Sequence, residues 1–132
     1  MITVHHLNDS RSQRILWLLE ELALPYEIRR YERDRKSMAA PAELRAIHPL
    51  GKSPILQDTG GGLEDVTLVE SGAICEYLCR KTAGLLGPPA AREDALRYYQ
   101  FLHYAEGSLM PCCSPCSSSV GCLFLEKPQC DV

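Results

Sequence analysis

The chain opens on ITVHHL (Ile2 to Leu7), a short β-rich run that breaks at Asn8-Asp9-Ser10. Directly afterwards the apolar period lengthens, and Ile15, Leu18, Leu19 and Leu22 fall at i, i+3, i+4 and i+7. That spacing predicts an amphipathic helix with polar starters at Asp9, Ser10 and Ser12 and a stop at Pro25. YEIRRY predicts a second strand, and the charged stretch from Glu32 to Ala40 predicts a loop. Pro41 opens a short helix, PAELRAI, with Leu44 and Ile47 on one side. SPILQD and VTLVE predict two strands joined by TGGGLED, whose glycines permit a tight or bulged turn. ESGAICEYLCRK completes the series as a helix with Ile74, Cys75, Leu78 and Cys79 turned inward.

The order β-α-β-α-β-β-α over residues 1–82 predicts an α/β domain. Its first β-α-β implies parallel strands joined by a right-handed crossover. The glycine turn implies an antiparallel pair, so the sheet is mixed, with helices on both faces. A Gly/Pro-bearing linker, 83–92, follows. Residues 93–110 then carry another amphipathic pattern through Ala95, Tyr99, Leu102 and Leu109. One such helix needs partners to bury its apolar face. From 111 to 132 the pattern gives way to an atypical Cys/Ser-rich tail, expected to be disordered.

Composition narrows the class. With 45% hydrophobic and 23% charged residues among 132, this is the make-up of a globular domain. A net charge of −3 provides no general attraction to nucleic acid or anionic lipid. No apolar run approaches the ~20 residues of a membrane helix, so neither a nucleic-acid nor a membrane partner is expected. The N-terminal stretch lacks a charged region leading into an apolar one, which points to a cytoplasmic setting with reduced thiols.

Three short motifs could carry chemistry. NDSRSQR places serines where a strand turns into a helix N-terminus, whose free N–H groups and dipole favour an anion or thiolate. The plainer reading of Ser10 or Ser12 is an N-cap. In HPLGKSPIL, Ser53-Pro54 enters a strand where proline is confined to an edge or a start. A cis bond there would expose the Ser53 backbone to an extended ligand; a trans proline opening an edge strand is the plainer reading. In LVESGAICEYL, Glu70-Ser71 offers a carboxylate for an ammonium group and donors for a carboxylate, or merely caps the helix.

Taken in order, HHLNDSRSQRILWLLEELALPYEI, HPLGKSPIL and LVESGAICEYL resemble the N-terminal domain of soluble glutathione transferases, the serine-type fungal and bacterial members in particular. The resemblance covers residues 1–82 and continues into LRYYQFLHYAEGSLMP, which looks like the first helix of that family's all-helical second domain. It implies a thioredoxin-like, glutathione-binding domain with Ser53-Pro54 cis, followed by one helix of an incomplete all-α domain. It further implies that the Ser53 backbone pairs with the cysteinyl part of glutathione and that Lys52 lies along the peptide. Glu70 and Ser71 would hold the γ-glutamyl end. Ser10 matches the position of the family's activating serine, with Ser12 the alternative, since spacing alone does not choose between them. The charged loop could lend Arg35 or Lys36 to the glycine carboxylate, although near-alternating charge is the pattern of a solvated face. The implied reaction is attack by the glutathione thiolate on an electrophilic small molecule, in a possible homodimer, with glutathione as co-substrate and no metal.

The energetics of the step are within reach of one serine. A free cysteine thiol has a pKa of about 8.5, and lowering it by two units needs about 2.7 kcal/mol of preference for the anion. A hydroxyl hydrogen bond to a charged acceptor contributes roughly 1.5–3 kcal/mol, and a helix N-terminus adds about 0.3–1 kcal/mol.

The seven cysteines suggest other chemistry. Cys75 and Cys79 share a helix face with Ile74 and Leu78, which favours core packing. No Cys-x-x-Cys sits at the first helix, which argues against thioredoxin-like disulfide reduction. In the tail, Cys113 and Cys116 have zinc-ligand spacing, and Cys112, Cys122 and Cys130 lie nearby. A single Cys-x2-Cys pair is a weak signature, and replacement of the family's second domain by unrelated sequence is the preferred reading. That loss would leave transferase activity weak or absent and expose apolar surface on the first helix and the helix at 70–80. Two other readings stay open: a non-catalytic binding module on the same fold, and a glutathione-dependent peroxidase or reductase.

Overall fold

The structure is a computed structural model and describes residues 1–60 and 65–110. The middle of the glycine turn lies outside the described residues, as does the Cys/Ser-rich segment with its zinc, replacement and disorder readings. The elements are β1 (Ile2–Leu7), α1 (Ser12–Glu21), β2 (Tyr26–Tyr31), α2 (Glu43–Ile47), β3 (Ile55–Asp58), β4 (Val66–Val69), α3 (Ser71–Lys81) and α4 (Arg92–Tyr104). A π-helical turn, Ala105–Leu109, continues α4.

The strands form one mixed sheet in the order β2-β1-β3-β4. β1 runs parallel to β2, with Ile2 opposite Tyr26 and Leu7 opposite Tyr31. β3 is antiparallel to β1, placing Ile55 opposite His5, and antiparallel to β4, placing Ile55 opposite Val69. This is the expected thioredoxin-like β-α-β-α-β-β-α arrangement, in which the long crossover through α1 makes a parallel neighbour and the glycine turn an antiparallel one.

Side-chain alternation along the strands divides the core. Ile2 and Val4 of β1 and Leu56 of β3 pack on one face against Ile15, Leu19 and Leu22 of α1 and Ile74 and Leu78 of α3. Leu7 and Ile55 point to the other face and meet Leu44 of α2. Fully burying each such aliphatic side chain contributes about 1.5–3 kcal/mol. His5, fully buried on that second face, is satisfied at both ring nitrogens, 2.9 Å from the Tyr31 hydroxyl and 2.9 Å from Gln57 Oε1.

At the outer end of β3, Asp58 is only 3% exposed. It accepts from Lys81 Nζ at 2.7 Å and from the Tyr77 hydroxyl at 2.7 Å. Burial opposes its charge, but the Lys81 and Tyr77 hydrogen bonds outweigh it and hold the carboxyl below its ordinary range. The same contact, with burial as the larger cause, pushes the Tyr77 phenol up to about 12.

α4 buries no residue. Its Leu96 and Phe101 are about as exposed as Trp17 of α1, at 59%, 61% and 69%. Exposed apolar side chains thus include those of α4 and Trp17, together with Leu85 and Leu86 before α4 and Ile28 of β2; α3, where exposure was also expected, contributes no large exposed apolar side chain. Glu106 of the π-helical turn ties this segment back to α1, with an ion pair to Arg11 at 2.9 Å and a second to Arg14.

Candidate active site

β1 ends at Leu7, and the chain turns over Asn8, Asp9 and Ser10 into α1. Asp9 takes a positive φ of 50°, the left-handed conformation that Asp and Asn tolerate in turns. The turn leaves Ser10 at the open end of the helix, where its Oγ accepts from the Ser12 backbone N–H at 3.3 Å. The Ser10 hydroxyl donates to the Leu7 carbonyl at 2.7 Å and lies 2.6 Å from Ser12 Oγ. Ser12 is fully buried beneath it and touches His6 Nδ1 at 2.7 Å.

The loop before β3 arrives at the same place. Gly51, with φ +56°, makes the turn that a side chain would strain, and the Ser53–Pro54 bond is cis. Ser53 donates its hydroxyl to the His5 carbonyl at 2.9 Å, and its Oγ lies 3.4 Å from Ser10 Oγ. A cavity of ≈ 870 Å³ opens over this junction, lined among others by Ser10, Ser53, Arg11, Arg14, Arg33 and Lys52. Its size falls in the range of small-molecule sites. Four cationic side chains against Asp9 give it a positive character, partly offset by Glu106 on Arg11 and Arg14.

The structure thus brings together Ser10, Lys52 and Ser53 at the cavity, with Ser12 and Pro54 buried behind them. Glu70 and Ser71 are not among the lining residues. They stand at the start of α3, and since Ile55 pairs with Val69, the ladder carries Glu70 alongside Pro54. Glu70 has φ +71° and is exposed, with no side-chain cap of its own helix. A non-glycine residue held in this region costs on the order of 1–3 kcal/mol and typically marks a binding or switch position.

Four contributors were not singled out from the sequence. Arg33, rather than Arg35 or Lys36, is the loop cation that reaches the cavity. Its Nε donates to the Asn8 carbonyl at 3.1 Å, its NH2 to the Asp9 carbonyl at 3.2 Å and its NH1 to the Met38 carbonyl at 2.9 Å. Arg11, at the α1 N-cap, and Arg14, on the first turn of α1, line the cavity with Ser10. His6 lies behind Ser12. The α3 thiols are poor nucleophiles, because burial pushes Cys75 up to about 11 and also raises Cys79.

A serine at a helix start and an X-Pro loop meet at one cavity, and a Glu-Ser helix start lies beside Pro54 across the β3–β4 ladder, outside the cavity lining. The glutathione S-transferase N-terminal domain family matches residues 10–81. Glutathione S-transferase 3 of Schizosaccharomyces pombe is 46% identical over 112 residues, covering 84% of this chain and 43% of that protein. Glutathione S-transferase 1 of Saccharomyces cerevisiae is 45% identical over 116 residues, covering 84% of this chain and 48% of that protein. A glutathione transferase family member from Pseudomonas fluorescens, solved with two glutathione bound, superimposes with a TM-score of 0.68 at 28% identity, over 83% of this chain and 48% of that one. The chain spans less than half the length of each of these relatives. By the span of the domain match and the identity to the two yeast enzymes, this chain belongs to the glutathione S-transferase family.

Proposed function

We propose that this chain binds glutathione in the cavity over the α1 N-terminus and that Ser10, a serine-type activator, holds the bound sulfur as a thiolate. The observation that carries the reading is the placement of the Ser10 hydroxyl on the cavity wall, beside Ser53 and among four cations. Ser12 is enclosed and serves Ser10 from behind. In this reading the Ser53 backbone, at the Pro54 bend, pairs with the cysteinyl unit, Glu70 and Ser71 take the γ-glutamyl end, and Lys52 and Arg33 face the peptide's carboxylates. The thiol proton leaves to water. Sulfur then forms a bond to an electrophilic carbon of a small molecule, and the leaving group departs with its electron pair. A homodimer and a cytoplasmic setting complete the proposal; no helix among the described residues is long and apolar enough to cross a membrane.

The test combines calorimetric titration with glutathione, ultraviolet titration of the bound thiolate, and turnover of a general electrophile. Saturable binding with a thiol pKa below that of free glutathione is expected. Absence of binding, or a bound thiol that titrates as in solution, would overturn the reading.

A further inference from the structure

Three side chains form an unbroken hydrogen-bonded line into the cavity wall. His6 Nδ1 lies 2.7 Å from Ser12 Oγ, and Ser12 Oγ lies 2.6 Å from Ser10 Oγ. Ser12 is fully buried, and of the three only Ser10 lines the cavity. Alternation along β1 explains the alignment. His6 falls on the face that carries Ile2 and Val4, which is the face α1 covers, whereas His5 points away from α1.

Counting hydrogens fixes what the line can do. Each contact this short holds one hydrogen. When Ser10 aims its own hydrogen at the cavity, or at the Leu7 carbonyl as it does here, the hydrogen between the serines must come from Ser12. Ser12 then has none for His6, so Nδ1 must donate. With the opposite tautomer the line runs backward: Ser12 donates to His6, Ser10 donates to Ser12, and Ser10 shows the cavity only lone pairs, which repel an anion. The imidazole tautomer therefore decides whether Ser10 is a donor or an acceptor.

We propose that His6 is a positioning residue for the reaction, donating from Nδ1 to Ser12 and so committing the Ser10 hydroxyl hydrogen to the sulfur of bound glutathione. This rests on the reading of the cavity as a glutathione site. No proton changes hands along the line; the thiol proton still leaves to water. The charged neighbour of His6 across the β1–β2 ladder is Arg30, Ser12 is its partner from α1, and the β3 side brings Pro54. Burial, followed by the charge of Arg30, holds the imidazole below its ordinary range. At pH 7 the ring is neutral, and its tautomer rather than its charge carries the effect.

The experiment uses the full chain with glutathione and compares the parent with His6→Phe, His6→Asn and Ser10→Ala by ultraviolet titration of the bound thiolate. His6→Phe removes the donor and is expected to raise the bound thiol's pKa by about half a pH unit, with a loss of rate at pH 7 of at most about threefold, since relayed hydrogen bonds strengthen one another only in part. Its glutathione Kd stays within about twofold, because the anion-binding cations are untouched. His6→Asn keeps an N–H donor near the same position and restores the parent pKa. An unchanged pKa in His6→Phe, with Ser10→Ala raised, overturns the role of His6 and leaves the site reading standing; failure of the parent to bind glutathione overturns both. Nitrogen NMR of the unsubstituted protein decides independently of variant folding: a protonated, donor-type Nδ1 on His6 with glutathione bound is expected, and a pyridine-type Nδ1 overturns the proposal.

Discussion

Ser10 and Ser53 are separated by 43 positions in the sequence, and their Oγ atoms lie 3.4 Å apart. One ends the turn after β1 and the other precedes β3, strands that the sheet makes neighbours. Only Ser10 directs its hydroxyl to the local turn carbonyl, from which it can rotate toward the cavity; Ser53 is committed to the His5 carbonyl. Ser10→Ala is therefore expected to raise the pKa of bound glutathione's thiol by about one to two pH units, the equivalent of losing one charge-assisted hydrogen bond. Binding itself is retained, and the pH–rate profile reads the change. An unshifted profile would remove Ser10 from the role.

Glu106 neutralises part of the charge that Arg11 and Arg14 bring to the same cavity. Glu106→Gln frees both guanidinium groups and is expected to lower the bound thiol's pKa, with an effect that fades as salt is added. Global stability changes by less than about 1 kcal/mol, since the pairs are partly exposed. A pKa that rises, or one insensitive to salt, would contradict this arrangement.

Asp58 and Lys81 link β3 to the last turn of α3. Because the folded-state pKa of Asp58 is depressed, its contribution is fully present above the ordinary carboxylate value and is lost as pH falls through the depressed value. Stability to denaturant should therefore decline below about pH 4. Lys81→Met leaves the buried carboxylate with fewer partners and costs about 2 kcal/mol, below the range for a fully buried pair because the Lys81 side chain is 31% exposed. The acid limb should also flatten. Equal stability in parent and variant at pH 7 would refute the pairing's importance.

Gly51 sits at φ +56°, and a Cβ there would come 2.4 Å from Arg45 Cγ. Arg45 can swing away, but the left-handed backbone remains costly for a side chain. Gly51→Ala should destabilise by about 1–2 kcal/mol and weaken glutathione binding more than Thr59→Ala, a change beyond the far end of β3. Chemical denaturation and calorimetry read the two effects.

The strands and helices were legible because their apolar periods are clean: Ile15, Leu19 and Leu22 follow a helical stripe and are all buried. The choice between Ser10 and Ser12 was not, since a two-residue spacing is silent about which hydroxyl the turn encloses; burial of Ser12 separates them. Arg33 was hidden among equally charged neighbours, and only its three bonds to carbonyls distinguish it. Glu106 reaches α1 through the placement of α4, a tertiary fact with no local signature. His6 did leave a trace. Ile2 and Val4 share its parity, so the strand alone places it on the helix-covered face.

That parity gives β1 a second duty. His5 and His6 are the same residue type in consecutive positions, yet one is bonded to Tyr31 and Gln57 on the α2 face and the other to Ser12 on the α1 face. A slip of one position in the pairing of β1 would exchange the two imidazoles while also turning Ile2 and Val4 outward. The reading frame of the sheet and the wiring of the serine are thus one and the same constraint, so an error in assembling β1 cannot yield a folded protein with a miswired site.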